Sequence, residues 1–235
     1  MIGKTSEPVR GIIFDLDGCL VDSEPLSLKT IADEMRAYGL SHDWTALRDR
    51  YLGVSIATVQ ADVAAESGAP CGADFARTVE DRLLALYETE LRQLPGAAAM
   101  LDRLVAAKMP RAIATGGSIR RMGVTLSLAG FAPVFGAHTY SADQVPHGKP
   151  APDLFLLAAR GLGLAPETCL VFEDSPHGVR GARAAGMRAV GFVGASHLDG
   201  MRELQAERLR DAGAESVLTC HDQLFSVPGL EAALS

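Results

Sequence analysis

Hydrophobic residues in this chain follow two patterns, short apolar runs typical of buried strands and wider spacings typical of amphipathic helices. The run Val9–Phe14 is short and rich in β-branched residues, so it predicts a buried strand. Helical spacing then dominates to about residue 93 and begins between Leu28 and Met35, where apolar side chains recur on one face. Two more helices are predicted over Ile56–Ser67 and Asp74–Leu91.

Strands and helices alternate after Leu94-Pro95-Gly96, a segment whose proline and glycine interrupt the helical pattern. The predicted strands are Arg111–Thr115, Val134–Gly136, Cys169–Phe172 and Ala189–Val193. The predicted helices are Ala97–Lys108, Ser118–Ala129, Asp153–Gly161, Pro176–Ala185 and Arg202–Asp211. Strands separated by helices of this length indicate an α/β fold with a doubly wound, parallel, Rossmann-like sheet.

The helical region interrupts the sheet, because the strand before it belongs with the strands after it. We therefore predict a Rossmann-like core formed by residues 1–21 and 95–235, with an inserted α-helical domain over residues 22–94. Sheets of this kind bind ligands at the carboxyl ends of their strands. The polar residues that end each strand are therefore the candidate site residues.

Composition and charge narrow the class of protein. The 235 residues are 48% hydrophobic and 22% charged, which is typical of a globular chain. Lys and Arg number 22 against 29 for Asp and Glu, and the net charge of −7 argues against a nucleic-acid-binding surface. No apolar run is long enough to span a membrane, the N-terminus lacks a signal-peptide core, and the four cysteines form no CxxC pair. We expect a cytoplasmic protein without nucleic-acid or membrane partners, present as a monomer or weak homodimer.

Acidic residues follow two of the predicted strands. Asp15 and Asp17 come directly after the first strand, and Glu173 and Asp174 follow the predicted strand that ends at Phe172. Taken separately, the first pair is also compatible with a solvated loop, and the second with carboxylates that complement a helix dipole. The sheet topology can bring all four carboxylates to one place, where they repel one another unless a cation binds. Oxygen ligands of this kind suit Mg²⁺.

Two further segments contain groups that bind anions. Thr115 and Gly116 end a strand and precede a helix, so they offer a hydroxyl and backbone N–H groups, although an ordinary helix N-cap at Ser118 is the alternative. Lys149 precedes a proline in an extended loop, where a lone lysine is usually a surface residue. Together with a bound cation, Lys149, the Thr115 hydroxyl and the Gly116 N–H would hold a phosphate. One aspartate is then left to attack phosphorus.

In chain order and spacing, these residues resemble the four motifs of the haloacid dehalogenase superfamily of phosphotransferases. The matching segments are Phe14–Gly18, Ile113–Gly116, Gly148–Pro150 and Phe172–Ser175. The segment from Pro176 to Met187 extends the fourth motif in the style of the beta-phosphoglucomutase-like and sugar-phosphatase branch, which has a helical cap. The resemblance covers nearly the whole chain and implies that residues 22–94 are this cap.

The resemblance also implies a role for each motif residue. Asp15 would be the nucleophile and a Mg²⁺ ligand. Asp17 would be the general acid and base, and also a ligand through its backbone carbonyl. Asp174 would bind the metal, and Glu173 would bind it directly or through water. The phosphoryl group of the substrate would be bound by Thr115, Gly116 and Lys149.

These roles imply a Mg²⁺-dependent phosphatase that acts on a small phosphorylated metabolite through an aspartyl-phosphate. We expect a sugar phosphate or a sugar-acid phosphate such as phosphogluconate. Beta-phosphoglucomutase is the alternative, but that branch has a histidine and an arginine where this chain has Ser27 and Ile56. A non-catalytic sugar-phosphate binder is a remoter alternative, because the motif residues are retained. The chain also departs from the family pattern at Cys19, where Thr or Val is common, and at Gly116 and Gly117, where Ser is common.

Overall fold

The structure, a computed structural model, describes residues 8–51 and 56–230 of the chain. The described residues form two compact units. One unit contains the chain up to Asp22 and from Gln93 onwards, and the other spans Ser23–Arg92. Gly53-Val54-Ser55, the segment directly before Ile56, lies outside the described residues.

A parallel sheet lies at the centre of the first unit. In chain order its strands are β1 (Gly11–Phe14), β2 (Arg111–Thr115), β3 (Thr139–Ser141), β4 (Cys169–Glu173), β5 (Arg188–Phe192) and β6 (Ser216–Leu218). Their order in the sheet is β3-β2-β1-β4-β5-β6, and each adjacent pair is parallel. Every residue of β1 and β4 is buried, as expected for central strands that are covered on both faces. The predicted α/β class with a doubly wound parallel sheet is confirmed.

The second unit is helical. Its described helices are α1 (Glu24–Ala37), α2 (Trp44–Tyr51), α3 (Ile56–Ser67) and α4 (Phe75–Glu90). Apolar side chains from all of them, including Leu28, Leu47, Val59 and Val79, pack into one buried cluster. Helical spacing of these residues gives each helix an apolar stripe that only its neighbours can cover.

The helices of the first unit connect the strands of the sheet. They are α5 (Ala97–Ala106), α6 (Ile119–Leu128), α7 (Ala132–Phe135), α8 (Asp153–Leu162), α9 (Pro176–Ala184) and α10 (Arg202–Asp211). Ser118 and Ser175 are the N-caps of α6 and α9, and their side chains accept hydrogen bonds from the backbone N–H groups of Arg121 and His177. The ends of β2 and β4 therefore lead almost directly into helix N-termini. Across the part of the chain that the structure describes, no helix combines the length and apolarity needed to cross a membrane.

One predicted strand is wrong. Val134 and Phe135 lie in α7, and Gly136 follows that helix with a φ of 55°. The proline in the first turn of α7 favours the start of a helix. The prediction of a strand used only the short apolar run and did not take this proline into account. The third strand lies further along the chain, at Thr139–Ser141. The hydrophobic pattern did not predict α2 or β6. Helix α2 is rich in charged residues, and β6 contains only 3 residues.

His221 fixes the two chain segments at which the first unit is interrupted. Its ring packs on Phe172 and Phe192, with centroid distances of 5.7 and 4.6 Å. Nε2 lies 2.8 Å from the carbonyl oxygen of Cys19, and Nδ1 lies 2.9 Å from that of Pro95. Burial lowers the pKa of His221, although both carbonyls oppose this effect. One side chain thus ties the segment after β1 and the segment before α5 to the sheet.

Replacement of His221 should destabilise the first unit by two separable effects. The variant His221→Phe keeps an aromatic ring but removes the N–H donor, which should cost about 1–3 kcal/mol because a buried carbonyl loses its partner. The variant His221→Ala should cost about 3–5 kcal/mol, since it also leaves a cavity. Urea unfolding measures both losses, and His177→Ala, an exposed control, should change stability by less than about 0.5 kcal/mol. Equal stability of all three variants would contradict this role of His221.

Candidate active site

The carboxyl end of β1 carries the first predicted aspartate. Asp15 is buried, and its backbone N–H donates to the carbonyl oxygen of Phe172 at 2.9 Å, which joins it to the neighbouring strand β4. Burial raises the pKa of Asp15 to about 7, and Lys149 opposes this rise. A carboxylate in this position is poorly solvated and depends on nearby positive charge.

Lys149 supplies that charge. Its Nζ lies 2.6 Å from Asp15 Oδ1 and 2.6 Å from Glu173 Oε1, so one ammonium group joins the ends of β1 and β4. Burial by itself would lower the pKa of Lys149, but Asp15 and Glu173 together raise it above its usual range. The lysine is therefore charged and paired inside the protein, and the alternative of a lone surface lysine is wrong.

Glu173 is held from both sides. Its Oε1 contacts Lys149, and its Oε2 accepts a hydrogen bond from the Ser175 N–H at 2.7 Å. The side chain is fully buried, and it occupies space beside Gly178, where an added Cβ would lie 1.7 Å from Oε1. A glycine at position 178 is thus required by the approach of this carboxylate to α9. Both oxygens of Glu173 have partners from the protein itself.

Asp174 faces the turn after β1. Gly18 has a φ of +73°, and a Cβ on it would lie 2.1 Å from Asp174 Oδ2, so only glycine fits this close approach. Asp174 Oδ2 also lies 3.6 Å from Nε2 of the buried His197. The backbone carbonyl of Asp174 accepts a hydrogen bond from Gln205 Nε2 at 2.8 Å. No local pattern marks His197 or Gln205, because both are distant in sequence from the motif that they contact.

Asp17 lies against the end of β2. Its Oδ2 is 3.4 Å from Thr115 Oγ1, and Thr115 Oγ1 accepts a hydrogen bond from the Gly117 N–H at 3.1 Å. Its Oδ1 lies 2.9 Å from Nη2 of Arg121 in α6. Sequence reasoning missed Arg121. The signal that could have found it is a basic residue in the first turn of a helix, where the helix dipole disfavours positive charge.

The acidic residues offer a site that fits a hard divalent cation. Asp15, Cys19 and Asp174 each present one potential ligand atom, and these atoms lie within 4.8 Å of one another. Burial raises the pKa of the Cys19 thiol, and nearby carboxylates add to this effect, so the thiol stays protonated. A protonated thiol is a poor ligand for Mg²⁺, whereas the carboxylates of Asp15 and Asp174 suit it.

The structure therefore brings most of the predicted site residues together. Asp15, Glu173 and Lys149 share direct contacts, Asp174 has a carboxylate oxygen near Asp15, and Asp17 lies beside Thr115. Gly116 is exposed at the end of β2, and open space surrounds the position of a Cβ on it. The chemical roles of these residues remain predictions.

A doubly wound parallel sheet with paired carboxylates at the ends of its central strands, and a half-buried lysine that contacts them, is typical of a class of α/β enzymes. The chain belongs to the haloacid dehalogenase-like hydrolases, whose sequence profile matches residues 9–186. The predicted family is confirmed by this match.

Several proteins similar to this chain agree with this assignment. Hexitol phosphatase A of Escherichia coli K12 is 38% identical over 184 residues, which are 77% of this chain and 82% of that protein. The fructose-1-phosphate phosphatase of the same organism is 32% identical over 186 residues, covering 78% of this chain and 96% of the relative. A haloacid dehalogenase family hydrolase of Deinococcus radiodurans R1, solved with bound phosphate and sodium, is 34% identical with a TM-score of 0.77 and covers 97% of each chain. Together with the family match, these two phosphatases support the assignment of this protein as a phosphatase.

A substitution at Gly178 tests whether the position of the Glu173 carboxylate matters for stability and activity. Alanine normally stabilises a helix interior relative to glycine by up to about 1 kcal/mol. The variant Gly178→Ala should instead displace the Glu173 carboxylate and destabilise the protein by about 1–3 kcal/mol. It should also lengthen the contact between Glu173 and Lys149. We expect phosphatase turnover to fall by about 10²-fold, because the lysine loses its fixed position.

A matched control lies in α6. The variant Gly123→Ala adds a methyl group at a position with nothing within 4 Å of the new Cβ, so it should be neutral or slightly stabilising. Thermal unfolding and phosphate release on both variants make the comparison. If Gly178→Ala resembled Gly123→Ala in stability and activity, the fit of Glu173 beside α9 would not matter.

Proposed function

We propose that this protein is a Mg²⁺-dependent phosphohydrolase that acts on a small phosphorylated metabolite through an aspartyl-phosphate intermediate. The observation that carries the proposal is the buried Asp15 carboxylate at 2.6 Å from the Lys149 ammonium, next to a strand end that offers Thr115 and Gly116. The names of the relatives favour a sugar phosphate as substrate. A sugar-acid phosphate such as phosphogluconate is included in the proposal.

Asp15 is the proposed nucleophile. Lys149 fixes the direction of its carboxylate, and burial removes the water that would otherwise shield it from a phosphoryl group. An Asp15 oxygen forms a bond to phosphorus while the bond from phosphorus to the sugar oxygen breaks. Lys149 also lies where it can offset the negative charge of the phosphoryl group. The Thr115 hydroxyl and the Gly116 N–H are the other proposed phosphoryl-binding groups.

Asp17 is the proposed proton carrier. In the first step it gives a proton to the leaving sugar oxygen, and in the second step it takes a proton from the water that attacks phosphorus. The second step breaks the bond from phosphorus to Asp15 and releases phosphate. Asp17 Oδ2 lies 3.4 Å from Thr115 Oγ1. This distance supports the role, because it places Asp17 beside a proposed phosphoryl-binding group.

Asp15 and Asp174 are the proposed side-chain ligands of Mg²⁺, with the backbone carbonyl of Asp17 as a further ligand. Glu173 is proposed to act through water, because Lys149 and the Ser175 N–H already contact its two oxygens. Bound Mg²⁺ supplies positive charge that offsets the repulsion between these carboxylates and the phosphoryl group.

The helical unit Ser23–Arg92 is proposed to be the cap that selects the substrate, since it is inserted directly after the segment that carries Asp15 and Asp17. We also propose a cytoplasmic location, in agreement with the unpaired state of all four cysteines, and a monomer or weak homodimer.

The test of this function is phosphate release from a panel of phosphorylated sugars, hexitols and sugar acids by the purified protein. We expect hydrolysis that requires Mg²⁺ and stops when excess EDTA is added, because the clustered carboxylates need the cation. Beta-glucose 1-phosphate with its bisphosphate activator should give phosphate and little glucose 6-phosphate. Full activity in EDTA would contradict the metal site, and efficient isomerisation without phosphate release would favour the mutase instead.

The roles of Asp15 and Asp17 can be distinguished by comparing substrates with different leaving groups. Asp15→Asn should abolish turnover of every phosphate ester, since the covalent bond cannot form. Asp17→Asn should slow phosphoryl transfer from a sugar phosphate by roughly 10²–10⁴-fold, because a sugar alkoxide needs a proton to leave. Nitrophenolate leaves without one, so nitrophenyl phosphate should give a rapid burst of nitrophenol followed by slow turnover.

Rapid-mixing kinetics measures the size of this burst. An equal loss of both substrates in Asp17→Asn, with no burst and with Mg²⁺ binding intact, would show that Asp17 is not the proton carrier.

A further inference from the structure

Arg121 lies at an unusual position for a basic residue. It is in the first turn of α6, where its backbone N–H donates to the N-cap Ser118 at 2.9 Å. Positive charge near a helix N-terminus is unfavourable, because the backbone N–H groups there carry partial positive charge. The side chain is nevertheless only 18% exposed, and its guanidinium lies 2.9 Å from Asp17 Oδ1. The contact with Asp17 compensates for both the burial and the dipole.

Gly117 lies beside this contact. A Cβ at position 117 would lie 3.4 Å from Arg121 Cδ, 3.5 Å from Thr115 Oγ1 and 3.6 Å from Asp17 Oδ2. Position 117 therefore faces the same small space in which Arg121, Thr115 and Asp17 meet. A serine here would place a second hydroxyl against this group of side chains.

The two oxygens of Asp17 have different partners. Oδ1 contacts Arg121, and Oδ2 contacts the hydroxyl of Thr115. A guanidinium has only N–H groups and no acceptor, so its ion-pair contact favours negative charge, and not a hydrogen, on Oδ1. Oδ2 instead faces the Thr115 hydroxyl, which can donate or accept, so the geometry leaves Oδ2 as the oxygen suited to exchange a proton.

We propose that Arg121 is a positioning residue that fixes Asp17 so that Oδ2 is the oxygen which exchanges the proton with the leaving group and with water. This inference rests on the proposed function, in which Asp17 carries the proton. Proton transfer needs heavy-atom distances of about 2.6–3.2 Å, and the side-chain torsion of a free aspartate is broad. Arg121 restricts that torsion before the substrate binds.

Three variants test the proposal. Arg121→Met removes the charge and keeps an apolar stem, Arg121→Lys keeps the charge without the planar fork, and Arg120→Met removes a charge from the same helix at an exposed position. The substrates are nitrophenyl phosphate and whichever of fructose 1-phosphate and phosphogluconate the unmodified protein hydrolyses faster.

We expect Arg121→Met to lower kcat for the sugar substrate by about 10²-fold, because the proton carrier is displaced from its working geometry. KM for that substrate should change little. The first phosphoryl transfer from nitrophenyl phosphate should keep the rate of the unmodified protein, because nitrophenolate needs no proton to leave. Arg121→Lys should restore part of kcat, and Arg120→Met should match the unmodified protein. Equal losses in the rate of the first phosphoryl transfer from both substrates, or a gain in kcat, would overturn the proposal.

A double variant separates action through Asp17 from direct contact with the substrate. If Arg121 acts through Asp17, Arg121→Met should cause no further loss of sugar turnover in an Asp17→Asn background. If the two losses multiply, Arg121 binds the substrate itself and the proposal is wrong.

The proposed function can fail separately from this inference. Should Asp17→Asn show no dependence on the leaving group, the role of Asp17 fails, and the role of Arg121 fails with it. Should Asp17→Asn behave as expected while Arg121→Met has no effect, only the inference about Arg121 is wrong.

Discussion

The ion pairs of Lys149 with Asp15 and Glu173 are the interaction on which the site depends. Asp15 and Glu173 end adjacent central strands, and burial of two carboxylates this close costs several kcal/mol unless positive charge lies between them. Lys149 contacts both at 2.6 Å and thereby joins β1 to β4 at the edge of the sheet that carries the proposed active site. The glycine at position 178 makes room for one of these carboxylates, and the Ser175 N–H holds its second oxygen.

Much of this arrangement could be predicted from the sequence, for a simple geometric reason. Parallel strands end at one edge of a sheet, so Asp15 and Glu173 had to meet once β1 and β4 were known to be neighbours. Short apolar runs indicated those strands because they are buried on both faces. Thr115 was predictable by the same argument, since β2 is the other neighbour of β1.

Other features of the site could not be predicted, because they depend on the space around individual side chains and on contacts between residues distant in sequence. A glycine in a helix, such as Gly178, has the same local signature as Gly123, yet only the first has a carboxylate in its Cβ position. His197 and Gln205 contact Asp174 from later segments that carry no motif. The misassigned strand at Val134–Gly136 has a related cause, since hydrophobicity alone does not separate one helical turn from a short strand.

Charge balance connects these contacts to the proposed cation. Four carboxylates meet at these strand ends, those of Asp15, Asp17, Glu173 and Asp174, and the side chains of Lys149 and Arg121 contribute two positive charges. The carboxylates outnumber these two cations, so a divalent ion would reduce the repulsion that remains among them. Lys149 contacts Asp15 and Glu173, whereas Arg121 contacts Asp17. A metal ion between Asp15 and Asp174, whose potential ligand atoms lie within 4.8 Å of each other, would add positive charge at the point where these two carboxylates face each other.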